Sequence, residues 1–153
     1  MSLNLTNVKN QANQIEIDKR LSERNEQKAS EGRKRHVADI KELIKNLFAG
    51  EHIQSVNGGN AIEVIFGQIK FTTHIVSSLQ PSHTSGLEEE LKFRFTKSVD
   101  GKFVANVEFV DATDYLNLPS DTKEYAYTAT IDNKNKSFKF SDVENLIQYT
   151  LDA

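Results

Sequence analysis

Apolar positions change period twice along the chain. Between Val37 and Phe48 they recur at three- and four-residue spacing, as Val37, Ile40, Leu43, Ile44, Leu47 and Phe48. That spacing lays one apolar stripe along an α-helix, and Gly50 stands where the helix should end. Upstream, Asn13 to Glu31 consists mostly of good helix formers without proline, but apolar residues thin out after Ile15, Ile17 and Leu21. Gly32 would cost a helix running through it about 1 kcal/mol relative to Ala. The pattern therefore predicts one firm helix and, before it, a polar helical arm that either continues it or frays.

After Gly50 the period becomes two. Ile53 to Val56 leads into the turn signal Asn57-Gly58-Gly59. Ala61–Phe66 and Ile69–Val76 flank Gly67-Gln68, which predicts a hairpin with Phe66 facing Ile69 and Val64 facing Phe71. One long strand bulged at Gly67 is the alternative. A polar loop is expected from Ser77 to Gly86. Leu91, Phe93 and Phe95, the turn Asp100-Gly101, and Phe103, Ala105, Val107 and Phe109 then form the clearest hairpin of the chain. The next segment, Asp111 to Thr122, carries Leu116, Leu118 and Pro119 and should fold over a core edge. Tyr125, Tyr127, Ala129 and Ile131 alternate again, and Asn133-Lys134-Asn135 turns the chain towards Phe138 and Phe140. Ser141-Asp142-Val143-Glu144 matches a capping box, followed by a helix face of Val143, Leu146, Ile147, Thr150 and Leu151.

The predicted class is α+β: an N-terminal helix with a polar helical arm, a six- to seven-stranded antiparallel sheet of hairpins, and a C-terminal helix. A strongly curved sheet capped by the last helix is the second layout. No strand–helix–strand alternation occurs, which argues against a parallel nucleotide-binding sheet. Composition sharpens the division. Residues 1–36 hold only 9 hydrophobic residues and none of the 13 aromatics. Residues 1–50 carry 10 basic and 7 acidic side chains, +3, and residues 51–153 carry 9 and 15, −6, which together give the net −3. So little apolar surface cannot offset ordering entropy alone. Residues 1–36 are read as an arm and residues 37–153 as a compact α+β domain.

Candidate chemistry is sparse. With Cys 0 there is no disulfide framework, thiol nucleophile or thiolate metal site. His36, His52, His74 and His83 show no metal-ligand spacing. The loop Gln80-Pro81-Ser82-His83-Thr84-Ser85-Gly86 brings hydroxyls near an imidazole, yet sequence neighbours seldom hold a nucleophile, base and acid in line. Asp111, Asp114 and Asp121 lack the glycine and closing glutamate of a calcium loop. Asn57-Gly58-Gly59-Asn60 lies between strands, not before a helix, so it is no phosphate cradle. No catalytic residue, metal or cofactor is assigned. The run Arg33-Lys34-Arg35 is the strongest local charge signal, but interspersed glutamates and an arm without aromatics disfavour nucleic acid.

These features lead to the expectation of a small non-enzymatic cytoplasmic binding or adaptor protein, acidic and cysteine-free. Its arm would serve self-association or capture of a protein partner, through Ile15, Ile17 and Leu21 beside Arg33, Lys34 and Arg35. A membrane partner is not expected, since no window approaches the roughly 18 apolar residues of a span. Two alternatives stand beside it. One is a small-molecule binder or hydrolase with a pocket inside the curved sheet, rimmed by His83, Asp111 and Asp114. The other is nucleic-acid contact through Arg33–Arg35.

Overall fold

The structure, a computed structural model, describes residues 2–82 and 86–153, with the side chains of 79–82 and 86–88 left aside. The arm and the first amphipathic stripe form one uninterrupted helix, α1 (Thr6–Leu47), of 42 residues. At about 1.5 Å per residue it is about 63 Å long. Ile40, Ile44 and Phe48 are buried, and Ala29, Val37 and Leu43 pack against them from the margins. The composition break at residue 36 is thus no structural break. His36 is fully buried, and among the described residues the earliest hydrogen bond from α1 to the rest of the chain is at Lys28, whose Nζ donates to the Leu116 carbonyl at 2.7 Å.

Seven strands follow: β1 (His52–Val56), β2 (Ala61–Phe66), β3 (Ile69–Ser82), β4 (Gly86–Val99), β5 (Lys102–Asp111), β6 (Ala126–Ile131) and β7 (Lys134–Lys139). Each pairs antiparallel with the next, in the order β1-β2-β3-β4-β5-β6-β7. The expected hairpin register holds, with Phe66 opposite Ile69 and Val64 opposite Phe71. Phe71, Thr73 and Ile75, then Phe93 and Phe95, then Val107 and Phe109, then Tyr127 and Ala129, share one buried face through these registers. The helix α2 (Val143–Leu151) adds Val143, Leu146, Ile147 and Thr150 to the same core. The outermost strand β7 carries Lys134, Lys136 and Lys139, charges that discourage pairing with another strand.

Three local expectations need correction. The polar segment from Ser77 to Gly86 is mostly strand: β3 runs to Ser82 and β4 starts at Gly86, because the backbone ladder continues regardless of side-chain polarity. The β6–β7 turn sits one residue earlier than expected, on Asp132 and Asn133 with φ of 52° and 63°. Both types tolerate left-handed backbone. At α2, the capping box on Ser141 does not form. A 3₁₀ turn (Phe140–Asp142) leads into the helix, and Asp142 Oδ2 accepts from the Lys139 N–H at 3.1 Å.

Candidate functional site

Where α1 crosses the sheet, a polar cluster forms that sequence reasoning missed. His36 stacks on Tyr125, with ring centroids 3.8 Å apart and planes within 6°, and Phe93 lies 5.2 Å away. Its Nδ1 is 2.9 Å from the Tyr115 hydroxyl and its Nε2 is 2.5 Å from the Tyr127 hydroxyl. The Tyr115 hydroxyl donates to Asp111 Oδ2, and Asp111 Oδ1 accepts the Thr113 N–H at 3.0 Å and lies 3.6 Å from His36 Nδ1. Because Tyr115 has one proton and gives it to Asp111, its oxygen accepts from Nδ1–H; in the neutral imidazole with that tautomer, Nε2 accepts the Tyr127 O–H. Every group in this chain then has a partner.

A second chain runs beside it. The Tyr125 hydroxyl donates to Asp39 Oδ2 and accepts from Arg35 Nε at 3.3 Å. The Arg35 guanidinium also donates to the carbonyls of Ser120 at 2.5 Å and Pro119 at 3.3 Å. Arg33 reaches Glu89 at 3.2 Å and lies over the Tyr115 ring at 5.5 Å. Gly32 allows this approach: a Cβ there would sit 2.5 Å from Tyr115 Cδ1. One face of α1 between residues 28 and 39 is thereby fastened to the segment after β5 and to β6.

Titration follows from the same contacts. Burial raises the Asp111 carboxyl, but contacts from His36, Thr113 and Tyr115 outweigh it and hold its pKa below 3.8. Burial, reinforced by the bond to Asp39 against the opposing Arg35, pushes Tyr125 up to about 12. Burial and the Asp111 carboxylate raise Tyr115 and Tyr127 as well. Such hydroxyls stay protonated donors. With His36 fully buried, the cluster is a clasp between helix and sheet, not an open reaction centre.

Beyond the clasp, residues 2–24 are exposed throughout. Ile15, Ile17 and Leu21 are 67%, 56% and 52% exposed, and Leu5 and Val8 are exposed too. Residues two apart lie about 200° apart on a helix, so Ile17 and Leu21 point away from the side that carries Leu5, Val8, Ala12 and Ile15. Of the basic run, Arg33 and Arg35 are engaged within the chain, and Lys34 is exposed.

The residues expected to rim a pocket do not come together in what is described. Asp111 is turned into the clasp, Asp114 is exposed and accepts from Asn117 Nδ2 at 2.6 Å, and His83 lies outside the described residues. The space inside the sheet is filled by rings, such as Phe95 against Phe109 at 5.0 Å and Phe109 against Tyr127 at 5.1 Å. Open grooves lie elsewhere. β5 and β6 pair only from Phe109–Ala129 to Asp111–Tyr127, and beyond that point a groove of about 580 Å³ opens between Asn106, Glu108, Thr128 and Thr130. Another, of about 320 Å³, runs beside α1 between Arg33, Lys34, Val37 and Leu91. Among the described residues, no three His, Asp or Glu side chains are grouped to hold a metal ion, and no helix is long and apolar enough to cross a membrane.

Comparison with family models, with curated proteins and with solved structures returns no match.

Proposed function

We propose that this chain is a small cytoplasmic binding or adaptor protein whose α+β domain holds out the N-terminal half of α1 as its interaction surface. The observation behind this reading is the contrast within one helix. Residues 28–48 are fastened by the clasp and the apolar core, whereas residues 2–24 are uncovered and carry Leu5, Val8, Ile15, Ile17 and Leu21. A helix this poor in apolar residues gains little by folding alone. Joined to a fixed helix, it offers an ordered apolar strip flanked by charge, the kind of surface that docks on another helix or in a groove.

The alternatives draw less support. Nucleic-acid contact through Arg33–Arg35 would require Arg33 and Arg35 to leave Glu89, Tyr125 and two carbonyl acceptors. A pocket inside the sheet would need space that the aromatic core occupies.

The test removes residues 2–24 and leaves every clasp residue in place. Deletion through residue 36 would remove His36 and both arginines and so confound binding with folding. The shortened chain should unfold at the same urea concentration as the full chain and lose partner capture and self-association together. Retention of every interaction by the shortened chain refutes the arm as the binding surface.

A further inference from the structure

We infer that the occupant of the uncovered half of α1 is the same half of a second copy, running antiparallel across a two-fold axis near residues 13 and 14. The inference rests on the arm being a binding surface and names what binds it.

The stripe itself is the first argument. Leu5, Val8, Ala12 and Ile15 follow one another at spacings of three, four and three, the frame of a helix-pair seam. Carried on in the same steps, the frame passes through Lys19, Ser22 and Glu26 to Ala29, Arg33, His36, Ile40 and Leu43. The latter residues face the sheet domain. Lys28, Gly32, Arg35 and Asp39, further round the helix, are fastened to the domain as well, so the domain sits about a quarter turn from the exposed stripe. A parallel pair using this stripe would bring two domains to the same end. An antiparallel pair sends them to opposite ends.

Seam pairing and charge then set the register. Among the described residues the exposed stretch covers residues 2–24. Setting Leu5 opposite Ser22 of the partner keeps the overlap within that stretch. It also stops the partner's first turn six residues, about 9 Å, short of Lys28, which hydrogen-bonds the domain at Leu116. In this register Ala12 meets Ile15, and the Lys19 stem lies along Val8, with its ammonium free to reach solvent. On one flank Lys9 faces Glu16 in both directions, and on the other Gln11 faces Asp18. Glu16 already has Arg20 at 3.4 Å on its own helix, an exposed pair that leaves its carboxylate open to a second cation. A parallel pair would instead set Asp18 beside Glu23, both acidic.

Lys19 and Ser22 in the seam keep the apolar contact small, near the lower end of specific interfaces, so the dimer is micromolar rather than nanomolar. Sedimentation of the full chain at low ionic strength should show reversible dimerisation between roughly 10 and 500 µM. Ile15→Glu should abolish it, while Asn10→Glu, the same new charge on the opposite side of the helix, should not. Lys9→Glu and Glu16→Lys should each weaken association on the order of tenfold, because two attractive pairs become repulsive. Their equimolar mixture should recover it, since a mixed antiparallel pair restores both contacts.

A full chain that stays monomeric at the highest concentration, or equal loss in Ile15→Glu and Asn10→Glu, overturns the self-pairing. Weak single variants whose mixture does not recover overturn the antiparallel register. Neither result touches the broader reading of the arm, which fails only if removing residues 2–24 leaves capture of other proteins intact.

Discussion

If His36 and Tyr127 act as one buried pair, removing both should cost much less than the sum of removing each. Tyr127 is 1% exposed and its hydroxyl lies 2.5 Å from His36 Nε2. Tyr127→Phe keeps the ring and leaves Nε2 without a donor, a penalty of about 1–3 kcal/mol for a buried unsatisfied group. His36→Phe keeps a ring stacked on Tyr125 but strands the Tyr127 hydroxyl and takes one partner from Tyr115, for about 2–4 kcal/mol. In the double variant neither stranded group remains, and the total should be about 1–3 kcal/mol, a coupling of at least about 1 kcal/mol. Against a domain stability of about 5–15 kcal/mol these are large shifts. Urea unfolding measures them. With a slope of about 1–3 kcal/mol per molar, 2 kcal/mol moves the midpoint by about 1 M. Tyrosine fluorescence suits the assay, because all four tyrosines lie between residues 115 and 149, so the arm contributes nothing to the signal. Additive costs, or single variants within about 0.5 kcal/mol of the parent, would refute the shared hydrogen bond.

Gly32→Ala should destabilise by about 1–3 kcal/mol although alanine is the better helix former, since its Cβ meets a Tyr115 ring held at its hydroxyl by Asp111 and His36; a raised thermal midpoint would contradict the close approach. The pKa of Asp111 is held below 3.8 in the folded chain, so the unfolded chain binds its proton first as pH falls. Its stabilisation is whole above that value and is lost as pH drops through the lowered one; Asp111→Asn should flatten this acid limb of the urea midpoint, and an unchanged slope would refute the assignment.

The strands were legible because their faces are single-sided. Leu91, Phe93 and Phe95 alternate strictly with Lys92, Arg94 and Thr96, and Asp100-Gly101 and Gly67-Gln68 carry the turn chemistry the hairpins use. The capping box at Ser141 misled because Asp142, one residue later, reaches back to Lys139 instead. The clasp was hidden because its parts lie about 75–90 residues apart and none is rare. Two signals were nonetheless present. His36 stands four residues before Ile40 and eight before Ile44, on the buried stripe. Tyr127 occupies an inward position of β6, and Tyr125, just before that strand, is buried beside it, where a hydroxyl must find a partner. An imidazole on one apolar face and phenols on another are complementary needs, and pairing them requires the fold.

The clasp also bears on how the arm can bind. An isolated helix of some twenty residues with so few apolar side chains is marginal in water, because its first turn is costly to nucleate. Here the nucleus is supplied by residues 28–48, already fixed to the sheet, so residues 6–24 extend an existing helix one hydrogen bond at a time. Arg35 and His36 hold that helix at two separate chains of polar contacts, which resist rotation about its axis as well as displacement from the sheet. The stripe of Leu5, Val8, Ala12 and Ile15 is therefore ordered, and aimed in a set direction, before anything binds it. Binding then forgoes most of the ordering cost that a disordered tail would incur, and a small apolar contact becomes sufficient. Loosening the clasp should weaken association even where no residue of the arm has changed.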